Sequence, residues 1–250
     1  MADETSAVDA SVDRGRAAGD IRAVEAFSSG IIFDMDGVLV DSADAHRRAW
    51  QQLGDEIGVP FTAQRFRQTF GLRNASIIPG WLGEVSAQRL AELGDRKEAV
   101  YRSLVRQGAA RIYRGIPELF VALRREGIGV AIASSGPRSN IELLVEVMGA
   151  HGLINAIVAA EDVSHGKPHP EAFLAAAERL GVPPAKCTVI EDSTHGVEAA
   201  KRAGMRAVAV LTSSPREALL EAGADFLVGE VGDARNQLLA PDPGGPPLAR

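Results

Sequence analysis

The chain has 250 residues, 46% hydrophobic and 24% charged, with one cysteine and a net charge of -6. That is enough apolar mass for a real core, which excludes a disordered regulator or a short disulfide-stapled module. The acidic balance argues against nucleic acid or an anionic membrane as main partner, and a lone Cys187 excludes an internal disulfide and a Cys/Cys/His zinc site.

Residues 1–28 mix Ala, Ser, Asp and Arg without a hydrophobic period, so a poorly ordered tail is expected there, and its acidic start is not that of a signal peptide. No apolar stretch approaches the roughly 18 residues of a spanning helix, which leads to the expectation of a cytoplasmic protein. Ile31-Ile32-Phe33 reads as a short buried strand that breaks into Asp34-Met35-Asp36-Gly37, a loop presenting acids. Over 42–110 the spacing turns helical (Trp50, Leu53 and Ile57, then Leu90, Leu93, Val100 and Leu104) and predicts an all-helical insert. Over 111–232 predicted strands at 129–133, 154–159, 187–190, 207–211 and 224–228 alternate with helices such as 140–148, 170–180 and 197–203. Such alternation implies right-handed βαβ crossovers and a doubly wound parallel α/β sheet. The core domain is therefore expected from 29–41 and 111–232, with the helical domain inserted after the first strand and a Pro/Gly-rich tail over 233–250.

In a parallel sheet the ligand site lies beyond the carboxyl ends of the strands. The residues closing the strands are Asp34 and Asp36, then Ser134, then Lys167 in a following loop, then Glu191 and Asp192. Any one alone reads as a turn or cap residue; four strand ends that each carry a fitting polar group do not. Four acids, a lysine and a hydroxyl suggest a hard divalent cation, most simply Mg²⁺, facing an anionic substrate. Asp34 and Asp36, two apart on an extended segment, can divide nucleophilic attack on phosphorus from proton transfer. Lys167, Ser134, Ser135 and nearby backbone N–H groups suit the phosphoryl oxygens.

Asp34-Met35-Asp36-Gly37-Val38-Leu39-Val40-Asp41-Ser42, Ser134, Gly166-Lys167-Pro168 and Glu191-Asp192-Ser193 resemble, in order, the four motifs of the haloacid dehalogenase superfamily of phosphohydrolases. The insert resembles the helical cap of its β-phosphoglucomutase-like branch. The resemblance implies that Asp34 becomes an aspartyl phosphate and that Asp36 is the general acid/base. It also implies Mg²⁺ on Asp34, the Asp36 backbone carbonyl and Asp192 with Glu191 in support, and a phosphoryl group held by Ser134 and Lys167. A receiver-like phospho-aspartate switch is the non-enzyme alternative, but its acceptor stands apart from its metal-binding acids and no cap follows it. A dehalogenase has no use for Asp36 or the metal acids.

Within the insert, His46, Trp50, Gly71, Lys97 and Tyr101 resemble the mutase, whereas the mutase pattern puts its phosphate-binding arginine at the position of Asn74, one after Arg73. At a helix start one residue of shift rotates a side chain by about 100°. The expectation is thus a phosphatase of small phosphorylated metabolites, sugar phosphates foremost, with a β-phosphoglucomutase-type enzyme as alternative. His46, Arg73, Asn74, Lys97 and Arg138 are the candidate substrate contacts.

Overall fold

The computed structural model describes residues 28–232; the two expected tails, apart from residue 28, lie outside the described residues. Six strands form one parallel sheet: β1 (Gly30–Phe33), β4 (Gly129–Ala133), β5 (Ala156–Val158), β6 (Cys187–Glu191), β7 (Arg206–Val210) and β8 (Phe226–Val228). Their order is β5-β4-β1-β6-β7-β8, so the first strand lies between β4 and β6, where the winding reverses. Crevices at such a reversal are where ligands sit in doubly wound sheets.

The strands are apolar on both faces because helices cover both. Ile31, Phe33, Val130, Ile132, Ile190 and Val208 pack on one side, against α5 (Ile116–Arg125) and α6 (Arg138–Val147). Ile32, Ala131, Ala133, Val189, Ala207 and Ala209 pack on the other, against α7 (Glu171–Leu180) and α8 (Thr194–Arg202). A short α9 (Arg216–Glu221) adds Leu219 to that second layer. Each strand divides its side chains with period two between these layers. Cys187 is one of the buried apolar residues, and burial pushes its thiol up to about 11.

Helices α1 (Ala43–Ile57), α2 (Ala63–Thr69), α3 (Asn74–Leu82) and α4 (Ala87–Arg106) form the cap. Thr62 and Ser86 accept the Arg65 and Arg89 N–H groups and so start α2 and α4, while Gly58, with φ +71°, ends α1 in a conformation that favours glycine. The cap has its own core, in which Phe61 stacks on Trp50 (4.9 Å between centroids) and meets Trp81 edge-on (5.0 Å). The far ends of the long helices differ: Ala45 and Ala49 of α1 and Val100, Tyr101, Leu104 and Val105 of α4 belong to the core layer beside α5.

The chain enters and leaves the cap through a two-stranded antiparallel ribbon, β2 (Val40–Asp41) with β3 (Arg111–Ile112), which the apolar spacing does not announce. The predicted strand over 154–159 is trimmed to Ala156–Val158, since the Asn155 side chain already accepts the Val130 N–H. Among the described residues no helix is long and apolar enough to cross a membrane.

Candidate active site

The sheet register brings the strand-end residues to one place. Asp34 follows β1 and its N–H bonds Ile190 O (3.0 Å); Glu191 closes β6; Ser134 follows β4. Lys167 arrives from the loop between β5 and α7, and its ammonium donates to Asp34 Oδ1 (2.5 Å) and Glu191 Oε1 (2.6 Å). Glu191 Oε2 accepts the Asp192 N–H, the Ser193 N–H and the Ser193 hydroxyl, so both its oxygens are spent. All three carboxylates are buried.

Electrostatics follow from that burial. Burial, against the pull of Lys167 and with repulsion from Glu191 and Asp36, raises Asp34 to about 7. Burial together with the charges of Glu191 and Asp34 pushes Asp192 well above the usual carboxylate range. For Lys167 burial acts downward, but the pairing with Asp34 and Glu191 outweighs it and the ammonium is held charged.

After Asp34 the chain makes a tight turn, with the Leu39 and Val40 N–H groups on Met35 O and the Gly37 N–H on Val40 O. Gly37 has φ +83°, and a Cβ there would lie 1.9 Å from Asp192 Oδ2. Glycine is required twice over, by its backbone and by the carboxylate beside it.

Asp36 belongs to a second network that reaches into the cap. Its Oδ1 accepts from the Ser42 hydroxyl and His46 Nε2 (3.2 Å), with the Tyr101 hydroxyl at 3.5 Å. Lys97 Nζ, which can only donate, bonds His46 Nδ1 (2.8 Å) and so places the ring proton on Nε2, toward Asp36. Lys97 also pairs with Glu98 Oε1 (2.9 Å), and Glu98 receives Asn74 Nδ2 (2.9 Å) from the cap and Asn140 Nδ2 (2.7 Å) from the core. Burial would raise Asp36, yet His46, Ser42 and Lys97 hold it down at about 2.

Two cavities meet at Asp36. One is lined by Asp34, Asp36, Ser134, Ser135, Lys167 and Asp192. The other lies under the cap among Trp50, Phe66, Phe70, Asn74, Lys97 and Glu98.

Of the candidate residues, Asp34, Asp36, Ser134, Ser135, Lys167, Glu191 and Asp192 are brought together, and His46, Lys97 and Asn74 line the adjoining chamber. Arg73 and Arg138, the other two expected substrate contacts, do not line either cavity. The Arg73 guanidinium turns to the backbone carbonyls of Ala160, Val163 (3.3 Å) and Ser164 (3.4 Å) and ties the start of α3 to the core. Arg138 is drawn to Asp162 (2.6 Å), a closer and fixed counter-charge. Two residues not expected from the sequence also stand here: Arg67, an exposed residue of α2 that lines the cleft beside Asp34, and Glu98, which joins cap to core. An arginine on a polar amphipathic helix carries no local signal; Glu98 had one, an acid next to Lys97 on the buried side of α4.

The donor set fits a hard divalent cation. Ligand atoms of Asp34, Glu191 and Asp192 lie within 4.8 Å of one another, and three buried carboxylates face one ammonium. Asp192 Oδ2 is buried without a hydrogen-bond partner, and Gly37 keeps the space before it clear of a side chain. Asp34 and Asp192 would be the direct ligands. Glu191 would act through Lys167 and the Asp192 backbone, and Asp36, whose carboxylate is turned to Ser42 and His46, through its carbonyl.

The family profile described as "Hydrolase: haloacid dehalogenase-like hydrolase" matches residues 29–204. Validoxylamine A 7'-phosphate phosphatase of Streptomyces hygroscopicus subsp. limoneus is 33% identical over 204 residues, 82% of this chain and 94% of that protein. Beta-phosphoglucomutase of Bacillus subtilis (strain 168) is 32% identical over 216 residues, 84% of this chain and 92% of that protein. The crystal structure of a hydrolase from Pseudomonas syringae superposes with a TM-score of 0.76 at 28% identity, covering 84% of this chain and 97% of that one. Matched over most of its length in sequence and in fold, the chain belongs to the haloacid dehalogenase-like hydrolases, as a phosphatase-type enzyme among the relatives of β-phosphoglucomutase and the sugar phosphatases.

Proposed function

We propose that the protein is a Mg²⁺-dependent phosphatase of small sugar phosphates that works through an aspartyl phosphate on Asp34. The observation that carries this reading is the junction of the two cavities at Asp36, with an anion-binding cleft on one side and a chamber of aromatic and polar groups on the other. A phosphoryl group in the first puts the organic part of the ester in the second, where Phe66 and Phe70 offer apolar surface and Asn74 a polar group.

Lys167 holds one oxygen of Asp34 and leaves the other for attack on phosphorus. The Ser134 hydroxyl oxygen accepts the Gly136 N–H (3.1 Å), so its proton is available to a phosphoryl oxygen. As the Asp34–phosphorus bond forms and the ester bond breaks, the leaving oxygen takes a proton from protonated Asp36. In the second half, Asp36 takes a proton from the water that attacks phosphorus, and Asp34 is released with inorganic phosphate. In the empty site His46, Ser42 and Lys97 hold Asp36 at about 2, so the proton it passes to the leaving oxygen comes to it with the substrate, from the phosphate monoester monoanion. Mg²⁺, when bound, supplies the positive charge that lets two anions approach.

Both names, phosphatase and phosphoglucomutase, occur among the relatives, so the chamber bears on whether this chain also moves phosphate within a sugar. The chamber's charge favours hydrolysis. A mutase needs a second phosphate there, but among the described residues its one cationic lining group, Lys97, is committed to His46 and Glu98, and the Glu98 carboxylate faces the same space. Phosphate release from a panel of sugar monophosphates with Mg²⁺, run beside conversion of β-glucose 1-phosphate to glucose 6-phosphate, tests this. Release without interconversion is expected; interconversion, or no release from any ester, overturns it.

A further inference from the structure

We propose that His165, His169 and Glu171 form a second cation site, for a borderline transition-metal ion such as Zn²⁺, that clips the turn carrying Lys167. The three residues lie on the outer side of the loop entering α7, and the inference does not depend on the reaction the enzyme performs. Their ligand atoms all fall within 4.8 Å of one another. His165 Nδ1 is 2.8 Å and His169 Nδ1 3.7 Å from Glu171 Oε2, which brackets the separation of about 3.3 Å between ligands in a tetrahedral site with bonds near 2.0 Å. Rotations of exposed rings close the difference: the two histidine side chains are 66% and 50% exposed.

The carboxylate is already fixed. Glu171 accepts the Ser164 N–H (2.8 Å) and the His165 N–H (2.9 Å), so its position does not depend on the histidines' side chains. His169 Nδ1 accepts the Glu171 N–H at 3.3 Å, a long bond that the exposed ring gives up when it turns this lone pair to the ion. His165 needs only to carry its ring proton on Nε2 in place of Nδ1. Two imidazoles and one carboxylate, with water completing the shell, suit Zn²⁺, Co²⁺ or Ni²⁺ and offer little to Mg²⁺.

The location gives the site its meaning. His165 precedes Lys167 by two residues and His169 follows it by two, and the His169 N–H bonds Gly166 O (3.0 Å) to close the turn between them. An ion held by both rings would lock the segment that aims Lys167 at Asp34 and Glu191.

Thermal unfolding of the full chain with micromolar Zn²⁺, in millimolar Mg²⁺ to hold the carboxylate cluster, tests the site. The expected result is a rise in Tm of about 5 °C, absent in both His165→Ala and His169→Ala when each is compared with its own metal-free baseline. With Co²⁺ in place of Zn²⁺, a visible absorption band is expected in the parent and not in the two variants. No Tm rise in the parent, or an equal rise in the variants, overturns the proposal, the latter by placing the ion elsewhere.

Discussion

Among the described residues Lys167 is the one cation paired with the buried acids of the cluster, and its removal leaves them uncompensated. Lys167→Met is expected to abolish turnover and to cost about 3 kcal/mol of stability, as breaking a buried ion pair does; the checks are phosphate release and urea denaturation. Asp34→Asn is expected to prevent trapping of beryllium fluoride, whereas Asp36→Asn, which keeps its backbone and the neighbouring nucleophile, is expected to trap it and to hydrolyse slowly. Equal trapping in both would reverse the assigned roles. Arg67 lines the same cleft from α2 with its side chain exposed. Arg67→Ala is expected to raise KM several-fold with kcat little changed, because an exposed cation aids capture of an anion more than the chemistry that follows.

At the scale of elements, the loop after β5 is held from two sides. From the cap, Arg73 grips its carbonyls; from the core, Asp162 accepts the Ala159 N–H (2.7 Å), Arg138 (2.6 Å) and Arg179 (3.1 Å). The Arg179 hydrogen bond, with the Ala159 N–H and the Arg138 charge, overcomes desolvation and lowers Asp162 from 3.8 to about 2. A folded-state value below the unfolded one means that stability is fully present above about pH 4 and is lost as pH falls toward 2. Asp162→Asn is therefore expected to lower Tm at neutral pH and to flatten the fall of Tm between those limits, measured by thermal melts across pH. A fall as steep as the parent's would remove Asp162 from the acid response.

Across the whole molecule, the cap and the sheet meet through buried polar groups as well as apolar ones: Glu98 of α4 bonds Asn140 of α6, and His46 of α1 bonds Asp36 beyond β1. The site is thus assembled from both units, and its buried negative charge opposes folding until a cation is bound. Chelation is expected to stop turnover, with Mg²⁺ restoring it. Asp192→Asn, which removes one charge at nearly constant volume, is expected to melt higher than the parent in metal-free buffer and to lose the stabilisation that Mg²⁺ gives the parent. A lower metal-free Tm for the variant would show that Asp192 is compensated by other means.

The sheet and the inner half of the candidate site are legible in the sequence. Buried strands announce themselves through unbroken apolar runs, and in a parallel sheet their ends converge by topology, so Asp34, Ser134, Lys167, Glu191 and Asp192 were legible before any contact was seen. Where the cap's charges go depends on contacts between elements. Arg73 sits at a helix start, where either direction satisfies local rules; the carbonyls of 160, 163 and 164, about 90 residues away in the chain, draw it out of the cleft. Arg67 faces the cleft only because α2 lies over the carboxyl ends of the central strands, and Glu98 finds Asn140 only because α4 packs on α6. Periodicity reports which face of an element is buried; which partner a charged side chain meets depends on distances between elements, and no local pattern encodes those.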